Sequence, residues 1–347
     1  MKNWLKITLV LLLLIGLFVG KTLWNAGVFT KITPYFNGDR VTEIKGFAGA
    51  EDITIDKTTG LALISSSSFA QNAPDGNIYL LNLNDNSPVP VSLTKELLMN
   101  DFHPHGISLL QLPDGRKQLF VVNHKRNGSS SIEIFQFTDS TLIHKESITN
   151  ELFISPNDIV GVGERKFYLT NDHNQKKSSW RSIKDFLQIP TGNVCYFDGN
   201  KASILVESIL YANGINVSQD KKKLFVAATT GRKIMVFDRN IASGSLTQTG
   251  EIPVNGADNI EIDESGNLWV GCHPKLLAFT THAKKHSELS PSQVVKISFD
   301  GVEPHIENIY LNDGTPLSGS SVGAMWHNKL LIGSVFGEKV LLGVWLK

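Results

Sequence analysis

NGINVSQDKKKLFVAATT, residues 213–230, contains both halves of a unit that recurs along the chain. A polar residue, a glycine and an isoleucine open it, a polar bend follows, and lysines lead into the apolar run Leu224–Ala228. Short apolar runs bounded by Gly, Asp, Asn and Ser read as strands joined by turns. The apolar half returns as GLALISS from Gly60, KQLFVVN from Lys117, KFYLTND from Lys166, KKLFVAATT from Lys222, NLWVGCH from Asn267 and KLLIGSV from Lys329, roughly 45 to 60 residues apart. The polar half precedes each by about ten to fifteen residues: Glu51-Asp52-Ile53, His105-Gly106-Ile107, Asn157-Asp158-Ile159, Asn213-Gly214-Ile215, Asp258-Asn259-Ile260 and Ser320-Ser321-Val322. Repeats of about 50 residues, each a small antiparallel sheet, bury faces that no single sheet could bury alone, which is the pattern of a propeller. The reading is an all-β, six-bladed β-propeller over residues 41–347 with a central channel. One departure is residues 174–190, where Trp180, Ile183, Phe186 and Leu187 at helical spacing predict a surface helix across the top.

At the other end, Lys2 and Lys6 precede an uncharged, Leu-rich run from Ile7 to Gly20, closed by Lys21. Counted from Trp4, the stretch is about 17 residues, the short limit for a spanning helix, and no small-residue cleavage pattern follows. Residues 1–22 therefore read as a hydrophobic helix acting as a signal anchor, and 23–40 as a linker. With its lysines retained inside, the propeller would lie beyond the membrane, in a periplasmic, extracellular or lumenal space. Lys plus Arg equals Asp plus Glu at 33 each, so no basic field exists to hold nucleic acid. The only cysteines, Cys195 and Cys272, fall inside strand-like runs and read as buried thiols.

A single Asp or Asn beside Gly would be a turn residue. Six in register are different, because the first strand of every blade lines the channel and equivalent residues converge there. Glu51, Asp52, Asp158 and Asp258 would bring four carboxylates together, which cannot all stay ionised without cations. The candidate ligands are all oxygens, so calcium, which takes about six to eight of them, fits better than zinc or magnesium. Adjacent residues of a pair point to opposite sides of an extended backbone, suggesting two stacked ions. One would collect Glu51, Asn157, Asn213, Asp258 and Asn259. The other would collect Asp52 and Asp158, with the carbonyl of Ile107.

GAEDITI, FHPHGIS, VVNHK, SPNDIV, YLTNDH, ANGINVS, ADNIEID, LWVGCHP and LLIGSVF resemble, in order from about residue 47 to 340, the motifs of the paraoxonase/arylesterase family. The resemblance implies an enzyme, a calcium-dependent hydrolase opening lipophilic lactones and aryl esters, with one catalytic and one structural ion. The ligand sets it implies coincide with the two above. It also implies that His105 and His124 form a histidine dyad, and that Asp172, His173, Cys272 and His273 neighbour the site. The family's vertebrate members tie the first and last strands by a disulfide; no cysteine stands at either end here, so strand pairing alone must close the ring.

The expected chemistry is attack of water on a carbonyl polarised by the catalytic ion, with His105 as general base and His124 holding its tautomer. Gly319-Ser320-Ser321-Val322-Gly323 matches the serine nucleophile elbow, but that motif needs a strand-to-helix turn, and a strand-like segment follows it. Two other readings stand beside this one. A sugar-lactone hydrolase of the gluconolactonase/regucalcin type would take polar substrates, against the apolar Tyr211, Val335 and Phe336 expected at the mouth. A non-enzymatic, calcium-stabilised propeller would be a binding scaffold.

Overall fold

The computed structural model describes residues 2–68, 74–95, 97, 99–176, 178–301 and 303–346. Residues 69–73 lie outside them. The apolar runs form strands because both of their faces are covered: in Lys166–Asn171 every residue but the leading lysine is buried. Such strands need β-branched and aromatic residues throughout instead of an apolar/polar alternation.

Each apolar run pairs antiparallel with the polar element before it. The leading strands are Ala50–Asp56, Pro104–Gln111, Pro156–Gly163, Ala212–Val217, Ala257–Ile262 and Ser320–Trp326. Their partners are Leu61–Ser66, Lys117–His124, Lys166–Asn171, Lys223–Ala228, Leu268–Cys272 and Lys329–Ser334. The leading strands pack one on the next, and the last returns to the first. Among the described residues, hydrogen bonding gathers the strands into three sheets of four, one of five and one of eight. The eight-stranded sheet is two meanders bridged where Ser334 pairs with Ala50, so five sheets are found where six were expected. The architecture is an all-β, propeller-like fold carrying an apolar helix at its N-terminus.

Packing couples neighbouring meanders. In one interface, Phe120, Val122 and Ile132 meet Ile159, Phe167 and Leu169 of the next meander, all nearly inaccessible. The Phe120 ring lies against Gly161, where any Cβ would overlap it. Truncating a buried Phe loses its transfer energy and leaves a cavity. Phe120→Ala is therefore expected to lower stability by about 3–5 kcal/mol, read as a drop in denaturant midpoint at unchanged slope.

The chain closes as strand pairing alone requires. Arg40–Lys45 pairs along its whole length with Lys339–Val344. Trp345 Nε1 donates to the carbonyl of Asn37 at 2.8 Å, and Tyr35–Phe36 pairs with Tyr310 and Leu311 of the adjacent meander. Cys195 and Cys272 are buried free thiols.

Three helices complete the described elements. Lys2–Asn25 is exposed over most of its length and is long and apolar enough to cross a membrane. Ser179–Phe186 lies inside the stretch expected to be helical. Leu276–Lys284, unforeseen in the sequence, follows the fifth apolar run.

Candidate active site on the central axis

All six leading strands break register at the polar pair: between Ala50 and Asp52, Pro104 and Ile107, Pro156 and Ile159, Ala212 and Ile215, Ala257 and Ile260, and Ser320 and Val322. A bulge re-aims side chains out of strict alternation. The simple picture of neighbours facing opposite ways is thus replaced by a kink at every pair. Close approach of the strands explains the glycines at Gly106 and Gly214. A Cβ at Gly106 would strike Asn157 and Asp158, and one at Gly214 would strike Asp258 and Asn259.

The residues expected around the first ion are all buried. Glu51 Oε1 accepts from Asn259 Nδ2 at 2.9 Å, and Glu51 Oε2 stands 3.4 Å from His105 Nδ1. Asn213 Nδ2 donates to Thr229 Oγ1 at 3.1 Å. With their NH₂ groups so engaged, Asn213 and Asn259 present their carbonyl oxygens. Those two oxygens, Asn157 Oδ1 and Glu51 Oε2 are buried and accept no hydrogen bond. Leaving one such group unsatisfied costs about 1–3 kcal/mol, and native proteins rarely do so without a ligand or ion.

The pair expected around the second ion is held differently. Asp52 accepts from the N–H of Ile53 and, across to the next leading strand, from that of Ile107, both at 2.8 Å. Asp158 repeats this at 2.7 Å with Ile159 and Ile215. Each carboxylate thus staples its strand to the following one.

Burial first, then the charge of Asp258, pushes the Glu51 carboxyl up to about 8. Burial and the charge of Glu51 do the same to Asp52, also to about 8, and burial and Asp52 raise Asp158 well above the usual range. A cation would restore their ionised forms. Among the described residues, no group of three or more His, Cys, Asp or Glu is arranged to hold a metal, and amides form much of the axial donor set.

His105 and His124 meet edge to face, with ring centroids 5.0 Å apart. His105 Nδ1 donates to the carbonyl of Asn157 at 3.0 Å, and His124 Nδ1 faces Ser130 Oγ at 3.2 Å. The His105 tautomer is therefore held by a backbone carbonyl, where the sequence reading assigned that task to His124. Burial lowers both imidazoles, His124 to about 3 with the neighbouring His105 charge as the next cause.

Three features go beyond the sequence reading, which names His273, Asp172 and His173 as neighbours of the site but not their contacts. His273 Nε2 lies 2.8 Å from Asp258 Oδ2, so it orients a candidate ligand. Glu261, one strand alternation beyond Asn259, adds a fifth axial carboxyl, raised by burial and by the charge of Asp52. Counting in twos along the leading strand could have found it. The third, a charge cluster under the helix Ser179–Phe186, joins residues separated by a loop and has no sequence signal.

Ser320 behaves as expected of a non-nucleophile. It begins a strand, is fully buried, and its Oγ accepts from Gln293 N at 2.9 Å. Ser320→Ala should cost about 1–2 kcal/mol of stability while leaving ester turnover within about twofold, measured side by side on one preparation.

Residues 41–342 match the family model described as Arylesterase. Serum paraoxonase/arylesterase 1 of Rattus norvegicus is 36% identical over 324 residues, covering 89% of each chain. Its Homo sapiens counterpart is 35% identical, covering 84% of this chain and 85% of its own. Among solved structures, a gluconolactonase from Xanthomonas campestris aligns over 91% of this chain and 96% of its own, with a TM-score of 0.55 at 14% identity, a likeness of fold.

Proposed function

The chain belongs to the arylesterase family, and from that premise we propose that it is a calcium-dependent lactonase and arylesterase whose axis holds two ions. That it is an esterase/lactonase hydrolase follows from the family. The calcium reading rests on one observation above the others: four buried side-chain oxygens, from Glu51, Asn157, Asn213 and Asn259, accept nothing from the protein. Acceptors alone suit a cation, and a set of carboxylate and amide oxygens suits a hard one.

In this reading the ring has six blades. The single Ser334–Ala50 bridge and the six apolar interfaces between consecutive meanders support dividing the eight-stranded sheet in two. Glu51, Asn157, Asn213, Asp258 and Asn259 would hold the catalytic ion, and Asp52, Asp158 and the Ile107 carbonyl the structural one. When bound, calcium supplies Lewis acidity toward the substrate carbonyl oxygen.

The chain's own groups do the rest. His105, its Nδ1 proton committed to Asn157, keeps a lone pair on Nε2 that takes the proton of an attacking water. Burial keeps the ring neutral and thus able to do so. His124, also neutral, meets that ring as a second acceptor. His273 fixes the orientation of Asp258, in the way outer residues commonly hold metal ligands.

The helix Lys2–Asn25 would anchor the domain, corresponding to the 1–22 anchor and 23–40 linker, with the domain 41–347 outside the cytoplasm. Its end is docked on the domain: Leu276 N donates to the Ala26 carbonyl at 3.0 Å, and Arg232 Nη1 to Asn25 Oδ1 at 2.6 Å. Phe18 meets Phe186 at 6.3 Å between centroids, beside exposed Trp180, Ile183 and Leu187. An apolar surface continuous with the anchor favours substrates drawn from a lipid phase.

The test is hydrolysis of a lipophilic lactone, phenyl acetate and gluconolactone by the full chain in detergent, with and without a chelator. The first two should be turned over faster and lose all turnover on chelation, regaining it with calcium. Preference for gluconolactone would replace the substrate class, and chelator-resistant turnover would remove calcium from the chemistry.

A further inference from the structure

The helix Ser179–Phe186 is turned inside out. Trp180, Ile183 and Phe186 face outward, Trp180 being 65% exposed, while the Arg181 side chain is only 13% exposed. Eight residues are too few for a stable helix on their own, and Ser178 at its start makes no side-chain cap. Burial of an apolar face, the usual source of helix stability, is directed away from the protein. Apart from the meeting of Phe186 with Phe18 of the N-terminal helix, charged contacts are what hold it down.

Those contacts are specific. Arg181 Nη1 donates to Ser155 Oγ at 3.0 Å and stands 3.7 Å from Asp172 Oδ1. One turn on, Asp185 Oδ1 lies 3.0 Å from Nε2 of the buried His173. The other ring nitrogen, Nδ1, stands 3.1 Å from Asp172 Oδ1, close enough for a charge pair though off line for a hydrogen bond. The four groups sum to no net charge when the imidazole is protonated. Burial opposes that proton, but Asp172 and Asp185 outweigh it and raise His173 to about 9. On its far side the His173 ring meets the edge of Tyr211, at 5.4 Å between centroids. Tyr211 holds a backbone φ of 55°, two residues before Asn213. A non-glycine residue persists there only when its surroundings enforce it.

We propose that Asp185 is a positioning residue that sets the acceptance of long acyl chains, because through His173 it holds both the helix beside the mouth and the Tyr211 ring at its wall. This rests on the lactonase reading above. A substrate ending inside the mouth does not touch the helix. On this proposal a longer acyl chain runs on to the exposed Ile183 and Phe186. Asp185 touches neither substrate nor ion, so its loss acts on binding of the long chain and spares the chemical step.

The full chain in detergent micelles is compared as wild type, Asp185→Asn and Asp185→Glu on lactones with short and long acyl chains. Asp185→Asn should raise KM for the long lactone about tenfold with kcat within about twofold, and leave both constants for the short one near wild type. Asp185→Glu, which keeps the carboxylate, should stay within about threefold. Independently of turnover, amide hydrogen exchange over residues 180–187 should quicken about tenfold in Asp185→Asn. Should that variant not fold, His173→Phe, which keeps a ring but has no donor, cuts the same contact from the other side. Long and short substrates shifting together, or unchanged exchange, overturns the latch while leaving the lactonase reading intact. A wild type inert toward every lactone overturns that reading and the specificity role with it.

Discussion

Stripped of calcium, the protein should become less stable as pH rises from about 4 to 8, and with calcium restored that loss should disappear. The reason lies in Glu51 and Asp52, pushed up to about 8 from ordinary values of 4.5 and 3.8, in both cases chiefly by burial and next by a neighbouring charge. A carboxyl whose folded pKa exceeds its unfolded one binds its proton more tightly in the folded chain. Its contribution is complete below the unfolded value and disappears as pH climbs through the folded one. Asp158, raised by burial and by Asp52, adds to the same trend.

A divalent cation on the axis removes that loss. It favours the ionised carboxylates, so the loaded fold keeps its full stability above the unfolded values of 4.5 and 3.8, where the calcium-free fold is losing its own. Melting temperatures in chelator and in excess calcium, at pH 5 and pH 8, check this. The gap should be small at pH 5 and at least about 10 °C at pH 8, since a few kcal/mol moves a domain of this size by several degrees. A gap of equal size at both pH values would mean that the carboxyls do not meet an ion.

Replacing His105 by Gln should lower lactone turnover at neutral pH by about 10²–10⁴-fold, the usual contribution of a positioned general base. Gln keeps a polar side chain of similar length but has no basic nitrogen at the place of Nε2, so the accepting nitrogen is lost. His124→Gln should cost less, because its Nδ1 is directed to Ser130. Initial rates on one lipophilic lactone, with calcium-dependent melting as the control for folding, separate chemistry from structure. Wild-type rates for His105→Gln would remove it from the mechanism.

The clarity of the repeat in the sequence has a physical source. Each leading strand faces the same axis and each following strand is covered on both sides, so the same residue types are demanded every 50 residues or so. Glu51-Asp52 and Asn157-Asp158 could be aligned because the fold imposes one register on them. The helix Ser179–Phe186 was legible from its apolar spacing, yet that spacing misleads about direction: its apolar side faces outward. Periodicity reports which residues share a face, and it is silent on where the face points.

What the sequence determined by itself was the recurring pair of strands, the polar pairs, the apolar N-terminal helix and the strand that begins at Ser320, all of them local patterns of side-chain type. Only the tertiary structure decided which groups are paired and which are left without partners. The unsatisfied oxygens of Glu51, Asn157, Asn213 and Asn259, the hold of Asn157 on His105, that of His273 on Asp258, and the Asp185–His173 contact depend on distances of a few ångströms between separate strands and loops. Hydrogen bonds are short and directional, so a pattern along the chain can bring two groups to the same region without saying which atom meets which.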